Sequence, residues 1–301
     1  MLKDYIDKEN IGICYKNYSI KKHTTFKIGG ICSYYVEVNN SHSLIKLIKY
    51  LKKEKYRYFI IGNGSNLLID DEYLDIVFIS LKRLNKSLKL NEHLYLVDSG
   101  LKPQALGKKI IEDGYIDALP LVLIPGTIGG LVYMNASCFK QSMDHIVRGV
   151  VCLNQEGKII FLKDLKCGYR KTCFSENHLI ILKVLLEFHN KKENSIELLN
   201  KYQEIKRNTQ PVNTYTAGSM FINGNNYQAW ELIDKLGLRG FRINDAIISL
   251  KHSNFFVNLK NATFNEMLAL IYYVKISVLI NYQIDLKTEV KIITNNSIAY
   301  S

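Results

Sequence analysis

The stretch that most constrains this chain is "IIGNGSNLLI", residues 60–69, where Ile60-Ile61 and Leu67-Leu68-Ile69 flank a pivot of Gly62, Asn63, Gly64, Ser65 and Asn66. Such a pivot either turns the chain between two strands or aims several backbone N–H groups at one anion, because glycine lets the main chain approach a phosphate closely. A second stretch, "IPGTIGGLVYMNAS" (124–137), packs Gly126, Gly129 and Gly130 among Ile124, Ile128, Leu131 and Val132. It is too apolar for an ordinary surface loop, and glycines ahead of a helix-like segment offer N–H groups to an anion. Neither stretch ends in Gly-Lys-Ser/Thr or has the dinucleotide-fingerprint spacing, so tight packing competes with phosphate binding for each alone. Two in one domain, spaced for opposite sides of a ligand, point to a pyrophosphate lying between them.

The rest of the pattern reads as α+β. "SLIKLIKYLKKE" (43–54) puts Leu44, Leu47, Ile48 and Leu51 on one stripe and predicts an amphipathic helix. Strands are expected at "YRYFIIG", "DIVFISL" (75–81), "HLYLVDSG" (93–100) and "LIILKVLLEF" (179–188), with a hairpin around "NQEG". "PQALGKKIIEDG" (103–114) carries Pro at its start and Gly at its end, as a helix does. Polar "HNKKENS" (189–195) marks a boundary, giving domains 1–192 (core about 23–190) and 193–301. After it come a charged helix ended by Pro211, short strands at "GSMFI", "AIISL" and "NFFVN", a long helix near 263–283 and a last strand "LKTEVKII".

Composition excludes several classes. At 301 residues with 47% apolar content the chain buries a sizeable core. "MLKDYIDKEN" lacks the apolar run of a secretory signal, and "LALIYYVKISVLI" (268–280), interrupted by Lys275, reads as a buried helix. Six cysteines without a Cys-x-x-Cys pair fit reduced thiols in a cytoplasm, and no histidines stand at metal-ligand spacing. The formal charge of +12 comes from scattered lysines, 33 of them beside 7 Arg. That favours anionic small molecules, without nucleic acid, membrane or an obligate protein partner.

Seven motifs then fall in one order: "HTTFKIGG" (23–30), "GNGSNLLI" (62–69), "IPGTIGGLVYMNA" (124–136), "GYRKTCF" (168–174), "GSMF" (218–221), "KHSNFFVN" (251–258) and "TEVKII" (288–293). Together they resemble the UDP-N-acetylenolpyruvoylglucosamine reductase family over nearly the whole chain. The resemblance implies a flavin-binding domain of the vanillyl-alcohol-oxidase (PCMH) type and a smaller α+β substrate-binding domain. It implies non-covalent FAD, held at Gly62, Asn63, Gly64, Ser65, Asn66, Pro125, Gly126, Thr127, Gly129, Gly130 and Asn135, with NADPH as hydride donor and an enolpyruvyl UDP-sugar as substrate. The matching catalytic positions are Arg170, Ser219 and Glu289. Hydride addition to an enol ether leaves an enolate, which needs a cation at its carboxylate and a proton at its carbon. Arg170 suits the carboxylate, Ser219 the proton, and Glu289 assists the enol.

Arg170 and Ser219 stand 49 positions apart, too few for the tyrosine-bearing insertion of one branch of the family, so the shorter branch is implied. The chain departs from the family at Ile222, at Trp230, at Ser137-Cys138-Phe139-Lys140 and at Asn254, where Gly is usual. His252 is a further candidate substrate contact. An FAD-dependent oxidase of the same superfold and a non-catalytic flavin- or nucleotide-binding descendant are the alternative functions.

Overall fold

The computed structural model describes residues 1–163, 165, 168 and 172–296. The predicted amphipathic helix forms as Ser41–Lys53, started by the Asn40 side chain, which accepts from Ser43 N at 2.9 Å. Its Leu44, Leu47, Ile48 and Leu51 are fully buried against Val36, Val38, Val77 and Ile79. Each such side chain is worth about 1.5–3 kcal/mol of burial, which is what fixes an otherwise lysine-rich helix to the sheet.

That sheet has four strands. Gly12–Ser19 pairs antiparallel with Ile31–Val38, which runs parallel to Leu74–Ser80, itself parallel to Tyr58–Ile61. A second, wholly antiparallel sheet orders Ile159–Leu162, Val147–Leu153, Ile180–Glu187, Leu94–Asp98 and Ser87–Lys89. Helices Gln104–Glu112, Leu119–Leu123 and Ile128–Tyr133 share one apolar core with it, built on Ile110, Ile111, Leu121, Val184 and Leu186. Helix Ser195–Thr209 belongs to the same core through Leu199, and Ser195 Oγ donates to Ile111 O at 2.7 Å.

The C-terminal layer is a small sheet, Arg242–Ile243, Ala246–Ile248 and Phe256–Asn258, with helices Ala229–Lys235 and Phe264–Tyr282. Phe264–Tyr282 is the one helix among the described residues long and apolar enough to cross a membrane. It opens with a capping box, in which Thr263 Oγ1 accepts from Glu266 N and the Glu266 carboxylate accepts from Thr263 N. It buries Met267, Leu270, Ile271, Val274 and Val278 but leaves Tyr272, Ile276 and Ile280 exposed. The expected buried helix is thus buried on one face only.

The pivot at 62–66 does not join paired strands. Tyr58–Ile61 stays in the four-stranded sheet, whereas Leu67–Ile69 pairs parallel with Lys291–Ile293 from the far end of the chain. The ladder expected for "LKTEVKII" is confined to these three residues, and "GSMFI" contributes only the isolated bridges Ser219↔Phe255 and Phe221↔Thr288. Phe26, Ile28 and Leu68 accordingly lie in the core of the C-terminal layer.

Asp71 clamps the same junction. One carboxylate oxygen accepts from Gly29 N at 3.0 Å and the other from Phe264 N, the first residue of the long helix, at 2.5 Å. Asp71→Ala strands both N–H groups and is expected to lower the unfolding free energy by about 1–3 kcal/mol. Urea unfolding checks this, with a shifted midpoint at unchanged slope.

Candidate active site

Between the N-terminal sheets and the C-terminal layer lies a cleft of about 630 Å³, within the roughly 300–1,000 Å³ range of ligand sites. Its wall contains Gly62, Asn63, Gly64, Ser65 and Asn66, then Pro125, Gly126, Thr127, Gly129 and Gly130, and, from the C-terminal half, Ser219 and Glu289. Asn135 is not on that wall. It is buried, with φ 41°, its amide donating to Gly168 O at 3.2 Å while its Oδ1 accepts from Asp144 N at 3.0 Å. Arg170 lies outside the described residues. On either side of it, Asn135 holds Gly168, and Thr172 Oγ1 donates to Tyr133 O at 2.9 Å.

The two glycine stretches abut. Ser65 Oγ donates to Pro125 O at 2.9 Å, and a Cβ on Gly62 would come within 2.8 Å of Thr127 Oγ1. They therefore form one continuous wall, not two banks facing across a ligand. Gly64 takes φ +61°, and its carbonyl accepts from Thr25 N at 3.2 Å. A Cβ there would lie 2.1 Å from His23 O, so the glycine is demanded by the fold before any ligand is considered. Gly129 is set against Ser99, whose Cβ would be 2.9 Å from an added methyl, and Gly129 N donates to Ser99 O at 2.7 Å.

What remains available for an anion is main chain. Among the described residues, the N–H groups of Asn63, Gly64, Ser65, Asn66, Gly126 and Thr127 have no intramolecular partner. Two buried hydroxyls on the cleft wall, Ser99 Oγ and Thr216 Oγ1, are also unpartnered. Buried polar groups of this kind call for a partner. Lys82, Lys206 and Lys291 line the cleft as well. Lys82 is paired with the buried Glu37 carboxylate, while Lys206 donates to Leu123 O and is held below its ordinary pKa by burial. Apolar wall comes from Phe59, Ile61, Leu67, Leu131 and Ile181. Amides for two phosphates, cations for their charge and apolar surface for rings fit FAD.

Ser219 and Glu289, the expected catalytic residues, sit on adjoining backbones. Gly218, at φ +82°, turns the chain into Ser219; Glu289 N then donates to Met220 O at 2.8 Å. Asn66 Nδ2 donates to Glu289 O at 3.0 Å, and Lys291 N to Asn66 O at 3.0 Å, so the Glu289 strand is bonded directly to the pivot. Lys291 Nζ lies 4.3 Å from the centroid of the Tyr133 ring and donates to its hydroxyl at 3.3 Å. Sequence reasoning missed Lys291, although the two-residue period that makes Glu289 a cleft residue puts Lys291 on the same face.

His252 is not on the cleft wall. It packs edge-on against Phe255 and Trp230, and burial, then the nearby Arg239 cation, holds its pKa below 6.5. At the altered segment after Asn135, Phe139 (φ 48°) and Lys140 (φ 63°) both take left-handed backbone in the turn between Ser137–Cys138 and Gln141–Ser142. Phe139 is seated there by its ring contact with Tyr202, centroids 4.3 Å apart.

Two outcomes follow from these contacts. Gly64→Ala is expected to lose folded protein, because it meets backbone, whereas Gly126→Ala meets only the mobile end of Leu131 at 3.1 Å and should fold with reduced FAD content. Thermal melts alongside flavin absorbance of the purified variants separate the two. Because His252 has a depressed pKa when folded, the unfolded chain takes up the proton first as pH falls. Its contribution to stability is complete above the unfolded value of about 6.5 and is lost as pH drops through the window below it. Denaturation midpoints measured from pH 8 to pH 5 should decline below about 6.5, and His252→Gln should flatten that decline.

Comparison with known proteins agrees with the geometry. Residues 32–163 match the model of an FAD binding domain, and residues 210–293 match the UDP-N-acetylenolpyruvoylglucosamine reductase C-terminal domain. The UDP-N-acetylenolpyruvoylglucosamine reductase of Clostridium kluyveri is 33% identical over 297 residues, covering 97% of this chain and 96% of its own. That of Orientia tsutsugamushi is 37% identical over 290 residues, covering 94% and 95%. The crystal structure of the Thermus caldophilus enzyme superposes with a TM-score of 0.78 at 26% identity, covering 93% of this chain and 98% of that one. The chain belongs to the UDP-N-acetylenolpyruvoylglucosamine reductase family.

Proposed function

We propose a division of labour among the cleft residues for the reaction of this family. The protein is an FAD-containing oxidoreductase that reduces the enolpyruvyl group of UDP-N-acetyl-3-O-(1-carboxyvinyl)-glucosamine to give UDP-N-acetylmuramate in peptidoglycan precursor synthesis. FAD bound in this cleft would supply the hydride chemistry, with NADPH as the source and the terminal carbon of the enol ether as the acceptor. The amides of the two glycine stretches hold the cofactor's diphosphate, with Ser99 and Thr216 hydroxyls donating or accepting at the same wall.

The observation that carries the reading is the backbone bond from Glu289 N to Met220 O, which sets Ser219 and Glu289 side by side on one wall of the cleft. In this reading the Ser219 hydroxyl gives its proton to the enolate carbon, Glu289 assists the enol, and the Arg170 guanidinium takes the substrate carboxylate in a two-pronged contact. Lys291 adds positive charge beside Glu289. We assign residues 1–192 to the cofactor and 193–301 to the substrate, with the first helix of the second unit lying against the first. The reaction runs in the cytoplasm in this account, where thiols stay reduced. Burial pushes the Cys14 thiol up to about 11 and those of Cys32 and Cys152 to about 12, which makes them inert core residues.

Ser219→Ala is expected to bind FAD and accept hydride from NADPH normally, while reoxidation by the enolpyruvyl substrate slows at least ~100-fold, as for loss of a positioned acid. Ser219→Cys should retain more activity than the alanine variant, since a thiol can also give up a proton. Arg170→Lys keeps the charge but loses the planar fork, so it too should slow reoxidation and spare reduction. Single-turnover stopped-flow of each half-reaction is the measurement. Near-normal reoxidation in Ser219→Ala sinks the proton-donor role.

A further inference from the structure

Ser219 stands where its chain is least supported from behind. Gly218 has φ +82°, and no atom lies within 4 Å of the place a Cβ would occupy. The position of the hydroxyl must therefore be set from the other side, by Met220 and Phe221, which are 0% and 1% exposed. One edge of that dipeptide is bonded to the Glu289 strand, through Glu289 N to Met220 O at 2.8 Å and Ile222 N to Lys287 O at 2.9 Å.

Among the described residues the opposite edge has no continuous strand, only the isolated bridge Ser219↔Phe255. Asn254 takes the place of one. Its carbonyl accepts from Met220 N at 2.7 Å. Its side chain then closes over the next residue, with Oδ1 accepting from Phe221 N at 2.9 Å and Nδ2 donating to Phe221 O at 2.8 Å. The amide is 3% exposed, and only one orientation of it satisfies both groups, since one needs an acceptor and the other a donor. Glycine at this position, usual in the resembled family, supplies neither bond from a side chain.

We propose that Asn254 is a positioning residue for the substrate-reducing step, holding Ser219 in register with Glu289 through its clamp on Phe221. The proposal rests on the reading of Ser219 as proton donor. Asn254 itself touches no substrate; it acts through the backbone it bonds.

The test uses the full-length holoenzyme. Asn254→Leu fills the same space but leaves the Phe221 N–H and C=O buried without partners. Reoxidation of the NADPH-reduced flavin by enolpyruvyl-UDP-N-acetylglucosamine should slow about tenfold or more, as for a small misplacement of a reacting group, while flavin reduction stays within about twofold. Amide exchange read by mass spectrometry on the peptide around 217–222 should accelerate, with peptides from 264–282 unchanged. Asn254→Asp supplies a control within one protein. Its carboxyl, when protonated, offers the same acceptor and donor as the amide, so reoxidation should recover relative to wild type as pH is lowered and fall as the carboxyl ionises. His252, whose Nδ1 accepts from Asn254 N at 3.3 Å, also titrates beside it, and the unsubstituted enzyme and Asn254→Gln/His252→Gln backgrounds define its share.

Wild-type reoxidation in Asn254→Leu, equal slowing of both half-reactions, or no pH-dependent recovery in Asn254→Asp would each overturn the proposal. Ser219→Ala run in parallel keeps the two ideas apart. If it reoxidises normally, the proton-donor reading falls and this proposal with it; if it is blocked while Asn254→Leu is not, only the clamp falls.

Discussion

Strand Lys291–Ile293 returns to lie parallel against Leu67–Ile69, and this single long-range pairing organises the site. Asn66 and Glu289, 223 positions apart, are joined by a direct side-chain to backbone bond as a result. Closing so long a loop costs only slightly more entropy than closing a short one, because the penalty grows with the logarithm of length. The pairing is then held by burial, since Leu67, Leu68, Ile69 and Ile293 are all nearly inaccessible. With the strand in register, Glu289 and Lys291 face the cleft and their backbone brings Met220 beside them. The pivot and the Ser219–Glu289 wall are two ends of one hydrogen-bonded path.

The glycines of the two stretches are not equivalent in what the fold asks of them. Gly64 lets the chain pass His23, and Gly129 lets a helix pack on Ser99. Around Gly64 the N–H groups of Asn63, Gly64, Ser65 and Asn66 lie on the cleft wall without partners among the described residues, whereas Ile128, Gly129 and Gly130 spend theirs on Leu101 O, Ser99 O and Thr127 Oγ1. At Gly64 and Gly129 the absence of a side chain serves the packing. The pivot in "IIGNGSNLLI" transfers the chain from one sheet to another and, in doing so, lines the cleft with its main chain.

Much of this was legible before the fold was known. Helix Ser41–Lys53, the hairpin of Val147–Leu153 with Ile159–Leu162, and the cleft positions of Ser219 and Glu289 all follow from period, turn residues or motif order. Other features were hidden because they depend on partners distant in sequence. Asn135 sits inside a glycine-rich motif yet turns its amide toward Gly168 and Asp144, which no local pattern announces. Lys206 looks like one more solvent lysine on a charged helix, and only the packing of that helix against helix Gln104–Glu112 brings its ammonium to Leu123 O. Ser99 and Thr216 are unremarked polar residues until burial removes water from them.

Those two hydroxyls also link stability to function. A buried donor or acceptor without a partner costs about 1–3 kcal/mol, and main-chain N–H groups facing a cleft add to the demand. A ligand that supplies acceptors there relieves the cost only in the folded chain, because residues 62–66, Thr127 and Thr216, distant in sequence, line one cleft only there. Cofactor loading must then stabilise the fold by mass action, in proportion to the logarithm of ligand over dissociation constant. Ser219 and Glu289 share in that stabilisation, since their backbones are bonded to the strand that builds the wall. The Ser219–Glu289 wall and the pivot are thus tied together through hydrogen-bonded backbone.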